Sequence, residues 1–186
     1  MMVRLFLGMS LALGGAWSAW AQDATQDLLA AYETVCAGVP APESVAAIDA
    51  LAAKAGFVKQ GDPIDNSAGD RVDIFAFWLR GQGDGQIEFD AFIRGAPANR
   101  NFACNLFAKG IDSKRMVDGL REFYKLGDPK TVVLPNDPDP DPSKVHLAWE
   151  VPSADATVSY SVIFHSTDPR RRMAAFFARK AAPPPK

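Results

Sequence analysis

Residues 71 to 126 constrain the fold more than any other stretch, because their apolar spacing switches from every second residue to every third and fourth. The stretch also carries Cys104, one of only two cysteines in the chain. In Arg71-Val72-Asp73-Ile74-Phe75-Ala76-Phe77-Trp78-Leu79, one face presents Val72, Ile74, Ala76 and Trp78 and the other presents Phe75, Phe77 and Leu79. Apolar residues on both faces predict an interior strand buried on both sides. Gln82-Gly83-Asp84-Gly85 supplies residues that tolerate positive φ, as a hairpin reversal requires. The return from Gln86 to Arg94 alternates Ile87, Phe89, Ala91 and Ile93 with Glu88, Asp90, Phe92 and Arg94, which predicts a half-exposed strand. After the turn-like Gly95-Ala96-Pro97, a further strand sets Phe102, Cys104, Leu106 and Ala108 on one inward face. Asp112 or Ser113 is placed to cap a helix whose stripe is Met116, Val117, Leu120, Phe123 and Tyr124, and Gly127 before Asp128-Pro129 is expected to end it.

The second cysteine, Cys36, shares the apolar side of an expected helix from Ala24 to Cys36 with Leu28, Leu29, Tyr32 and Val35. Two inward-facing cysteines become a disulfide in an oxidising compartment, and the N-terminus predicts such a compartment. Met1 to Ala21 has the parts of a secretory signal peptide: Arg4, an apolar run from Leu5 to Ala16, and the small residues of Ala19-Trp20-Ala21. Cleavage is expected before Gln22, giving a periplasmic or secreted product. No later segment is apolar for long enough to cross a bilayer, so no transmembrane segment is expected after cleavage. A Cys36–Cys104 bond closes a loop of roughly 70 residues and should stabilise the fold by about 4 kcal/mol through the entropy it removes from the unfolded chain. A CxxC pair is absent, and neither cysteine has a histidine or basic residue close by, so the bond is read as structural.

Removal of residues 1–21 takes away one charge, Arg4, and shifts the formal net charge from −2 to about −3. That balance excludes a nucleic-acid-binding domain, which would be strongly basic. The local Arg170-Arg171-Arg172 run is read as a solvated turn or strand edge. Gly38-Val39-Pro40-Ala41-Pro42 breaks the first helix, and Pro42 is expected at the first position of a second, with Val45, Ile48, Leu51 and Ala52 inward. Gly56-Phe57 fits a left-handed cap with the aromatic folding back, and residues 61–69 are loop. Thr131 to Leu134 is a short apolar run, Pro135 to Pro142 an extended proline–acid connector. Strands are expected around Val145–Val151, Val158–Phe164 and Met173–Ala178, followed by a disordered tail, 181–186. Together these predict an α+β fold: a single domain over residues 22–180, with about three helices on one face of a mainly antiparallel sheet of five to seven strands. The strands beyond the connector are too few to bury a core alone and are expected to join the first sheet.

Chemical signatures are sparse. The chain has no GxSxG, HExxH, SxxK, P-loop or dinucleotide fingerprint. Its two histidines, His146 and His165, fall at polar-facing strand positions and are expected to be exposed or hydrogen-bonded at the surface. Asp137, Asp139 and Asp141 resemble the front of a calcium loop, but the interleaved prolines hold the backbone extended where such a loop must curl. No metal and no cofactor is expected. Glu88 and Asp90 stand about 6.5 to 7 Å apart on one strand face, a spacing that any amphipathic strand produces. Phe92 and Phe107 are more informative, since they fall on faces otherwise carrying Glu88, Asp90, Arg94 and Asn105. The expectation is a non-enzymatic binding module that meets a protein partner or an apolar small molecule through Phe92 and Phe107. The alternative is a hydrolase using His165 with a nearby carboxylate.

Overall fold

Cys36 and Cys104 are bonded, with their Cα atoms 5.5 Å apart across a sequence separation of 68. The structure, a computed structural model, describes residues 15–37, 44–133, 141–152, 156–168 and 171–181. The first helix, α1, spans Gly15–Tyr32 and passes without a break through the expected cleavage point before Gln22. A π-helical turn, Glu33–Ala37, follows in place of the last regular turn expected up to Cys36. Its wider spacing brings two adjacent residues, Val35 and Cys36, onto the sheet together, both fully buried.

Helix α2, Val45–Lys54, starts at Ser44, whose hydroxyl accepts from the Ala47 amide at 3.3 Å; Pro42 lies outside the described residues. At its other end Gly56 takes φ 77°, and the Phe57 amide donates to the Ala52 carbonyl at 2.9 Å, so the aromatic ring turns back into the core as expected. Helix α3, Ser113–Tyr124, is capped by Asp112, which accepts from the Arg115 amide at 3.0 Å. The Asp112 amide in turn donates to the buried Thr25 hydroxyl at 3.0 Å, which joins the start of α3 to α1. The helix does not run to Gly127. It ends at Lys125, whose φ of 54° turns the chain so that Leu126 is buried and its amide meets the Arg121 carbonyl at 3.0 Å.

Among the described residues nine strands form one antiparallel sheet, more than the five to seven expected. Six are long: β3 (Val72–Arg80), β4 (Ile87–Gly95), β5 (Asn101–Ala108), β7 (Lys144–Pro152), β8 (Ala156–His165) and β9 (Met173–Ala181). The surplus consists of two-residue ladders, β1 (Val58–Lys59), β2 (Ile64–Asp65) and β6 (Lys130–Thr131), which are too short for alternation to register. The order is β1-β3-β4-β5-β9-β8-β7-β6, with β2 pairing β3 beside β1. The last strand therefore lies in the middle, and through it the strands beyond the proline–acid connector join the first hairpins. The β3–β4 reversal needs glycine at position 81, where φ is 76° and an added Cβ would come 2.8 Å from the Gly85 carbonyl oxygen.

Helical side chains Leu28, Tyr32, Val35, Ile48, Met116 and Leu120 pack against one sheet face that presents Trp78, Phe89, Cys104, Leu106, Val162 and Phe177. The Trp78 ring stacks on Phe89 at 4.7 Å, and its indole N–H donates to Asp49 Oδ1 at 2.9 Å. Lys59 holds the other oxygen of Asp49 at 2.8 Å, so α2 is secured to β3 and β1 at once. Replacing both Cys36 and Cys104 by Ser should cost about 4 kcal/mol, or roughly 10 °C in melting temperature. Thermal melts with and without reductant check this: reductant should lower the wild-type midpoint to that of the double variant and leave the variant unmoved.

Candidate functional site

The face of the sheet opposite the disulfide carries no described helix. Strand register sets its side chains in rows that run across β3, β4, β5, β9, β8 and β7. One row reads Leu79, Glu88, Phe107, Ala174, Ile163, His146; the next reads Phe77, Asp90, Asn105, Phe176, Ser161, Ala148. A third runs Phe75, Phe92, Ala103, Ala178, Ser159, Glu150. Five phenylalanines, at 75, 77, 92, 107 and 176, thus share a surface on which each is only half-buried. The expectation that β3 is buried on both faces fails here, because the helices cover one side of the sheet alone.

Phe92 and Phe107 both belong to this face. The Phe92 ring lies 4.7 Å from Phe75, and Phe107 meets Phe176 edge to face at 5.9 Å. Each also carries a guanidinium: Arg94 Cζ lies 5.6 Å from the Phe92 centroid and Arg172 Cζ lies 4.0 Å from that of Phe107. Such contacts contribute about 0.5–1 kcal/mol at exposed sites. The same arginines pair with carboxylates of the face, Arg94 with Asp73 at 2.8 Å and Arg172 with Glu88. The basic run near residue 171 is an exposed turn, as expected, and two of its arginines are also paired. Arg171 binds Asp141 and Arg172 binds Glu88, which holds the β8–β9 connection against the sheet; Arg170 lies outside the described residues.

Asp90 occupies the centre of the aromatic rows, between Phe77 on β3 and Asn105 on β5. Its Oδ1 is shielded from solvent and has no hydrogen-bond partner among the described residues. Loss of solvation pushes its carboxyl up to about 6, against a smaller downward pull from the Asn105 amide and Arg172. The company of Phe176 leaves no trace in the sequence, since β9 pairs with β5 across about 70 residues of chain, and Phe77 lies on a strand whose two apolar faces hide which side is open. The available signal was Asp90 alternating with Phe92 on β4.

The histidines behave differently from each other. His165 is nearly enclosed, its side chain 8% exposed, with Nδ1 3.3 Å from Asp141 Oδ2 and 3.2 Å from Ser143 Oγ. Asp141 is held at about 2 by the backbone and hydroxyl of Ser143 and by Arg171. Carboxylate and hydroxyl converge on the same ring nitrogen, whereas a relay that activates a serine needs them on opposite nitrogens. His146 departs from the expectation of an exposed or hydrogen-bonded ring: it is half-buried, its Nδ1 has no partner among the described residues, and burial lowers its proton affinity, helped by Lys144. Asp137 and Asp139 lie outside the described residues. A cleft of about 560 Å³ opens between α1 and α3, lined by Leu29, Glu33, Phe123 and Tyr124 among others. Among the described residues no helix is long and apolar enough to cross a membrane, and no three of His, Cys, Asp and Glu gather as a metal site.

Comparison with protein-family models, curated proteins and solved structures finds no match for the chain.

The Asp90 environment has a measurable consequence. Its folded-state value lies above the ordinary 3.8, so the folded protein holds the proton more tightly than the unfolded chain does. This contribution is fully present below about pH 4 and is lost as pH rises through about 6. Asp90→Asn should match the wild type near pH 4 and exceed its stability at pH 7.5 by about 1 kcal/mol, a figure reduced from the full shift because the carboxyl is partly solvated. Chemical denaturation of both proteins across that range is the test.

Proposed function

We propose that this protein is an exported, non-enzymatic binding module that uses the helix-free sheet face, around Phe92 and Phe107, to hold an apolar small molecule or a protein partner. The observation that carries the reading is the gathering of five half-buried phenylalanines on one side of a sheet whose other side already buries the core. Contiguous apolar surface rimmed by charge is characteristic of interaction sites. Residues flanking the rings, Ala103, Ala174, Ala178, Ser159 and Ser161, are small and leave the rings standing proud of the sheet. Export accords with the signal-like N-terminus and with the disulfide, which an oxidising compartment maintains.

A hydrolase built on His165 is the second reading, favoured by the 3.3 Å approach of Asp141 to its ring. Its weakness is the shared nitrogen described above.

Replacing Phe92 and Phe107 together by Ser should weaken binding of a neutral apolar dye such as Nile red at least tenfold and lower stability far less than Phe89→Ser does. Phe89 is a fully buried core residue, for which truncation costs about 3–5 kcal/mol. A melting-temperature loss equal to that of Phe89→Ser would show the two rings to be core. Ester hydrolysis abolished by His165→Ala would favour the second reading instead.

A further inference from the structure

We propose that Asp90 and Phe77 form a subsite for a small organic cation, a guanidinium or primary ammonium group carried on an apolar stem. The inference rests on the helix-free face being the binding surface and names the chemistry that surface selects.

It comes from a pattern repeated on the face. Besides Glu150 at the β7 end of the face, three carboxylates, Asp73, Glu88 and Asp90, project among the phenylalanines of β3, β4 and β5. At the first, Arg94 pairs with Asp73 while lying over Phe92. At the second, Arg172 pairs with Glu88 while lying over Phe107. Both are the same unit: a carboxylate, an aromatic ring, and a guanidinium satisfying the two together. At the third the carboxylate and ring are present, since Phe77 is the direct cross-strand neighbour of Asp90. Among the described residues no cation pairs with Asp90, and the Phe77 ring has neither a cation nor another ring against it. An external cation would complete the unit, drawing on charge attraction and on the ring quadrupole in a partly desolvated position. The apolar stem follows from the surroundings, because Phe92 adjoins Asp90 along β4 and Phe176 lies beyond Asn105 in its row.

The charged groups facing Asp90 are Glu88 on its own strand and Arg172 at the entry to β9; β3 and β5 present Phe77 and Asn105. Binding requires the ionised carboxylate, so affinity should rise with pH through about 6 and protons should be released on binding.

The experiment is titration of the disulfide-bonded protein with n-butylguanidinium, with n-butanol and butyrate as neutral and anionic controls, followed by calorimetry and aromatic NMR. The expected result is saturable butylguanidinium binding at pH 7.5, at least tenfold weaker at pH 5 and in Asp90→Asn, with shifts at the Phe77 ring. Phe77→Leu, which keeps an apolar side chain but loses the ring, should weaken butylguanidinium binding at least tenfold. Equal binding of butyrate, or butylguanidinium binding unchanged in Asp90→Asn, would overturn the proposal. So would binding seen only in Arg170→Gln, which would identify the cation as the chain's own. Nile red binding that depends on Phe92 and Phe107 without any butylguanidinium binding would remove this inference alone. Loss of both would remove the reading of the face as well.

Discussion

The bond between Cys36 and Cys104 decides which side of the sheet is interior. It pins the end of α1 to the middle of β5, and because side chains alternate along a strand, it assigns Phe102, Leu106 and Ala108 to the covered side with Cys104. Register carries that choice sideways: Ala91 opposite Cys104 on β4, and Phe177 opposite it on β9, are buried in turn. A slip of one residue in any strand would send its apolar set to the other side. Everything on the helix-free face, including the aromatic rows and Asp90, is the complement of this assignment.

The two sides solve the problem of aromatic residues differently. On the covered side, rings meet rings, the Trp78 indole donates to Asp49 and the Tyr32 phenol donates to the Phe176 carbonyl at 2.7 Å. On the other side, Phe92 and Phe107 are covered by arginines whose charges are answered by carboxylates on other strands, Asp73 on β3 for Arg94 and Glu88 on β4 for Arg172. Pairs of that kind contribute little to stability where water reaches them. Their effect is rather to keep large apolar rings at the surface without inviting another sheet to stack on them, and to leave one carboxylate, Asp90, in surroundings that hold its proton near neutrality.

Much of the architecture is legible in the sequence. Alternation located the long strands, the inward positions of Cys36 and Cys104 implied their bond, and Phe92 and Phe107 were marked by the polar residues beside them. The features that leave no sequence signal are short or depend on distant packing. The ladders β1, β2 and β6 span two residues each, shorter than one repeat of the pattern that reveals a strand. The π-helical turn depends on packing of Val35 and Cys36 rather than on local preference. Lys125 ends α3 because Leu126 gains burial, which outweighs the backbone preference that favoured Gly127. Phe176 could not be grouped with Phe92 and Phe107, because pairing of β9 with β5 is a long-range choice that leaves no periodic trace, and Phe77 was hidden by a strand that is apolar on both faces.

The central position of β9 also bears on how the molecule comes into being. The hairpins of β3 to β5 and of β7 and β8 form from neighbouring segments, yet neither group has its inner neighbour until residues 173–181 insert between them. Closing that gap late and over long loops is entropically slow. Until residues 173–181 are in place, β5 and β8 each keep an open edge where the finished sheet has its middle, so the half-made fold stays pliant and exposes two long strand edges to any other strand it meets.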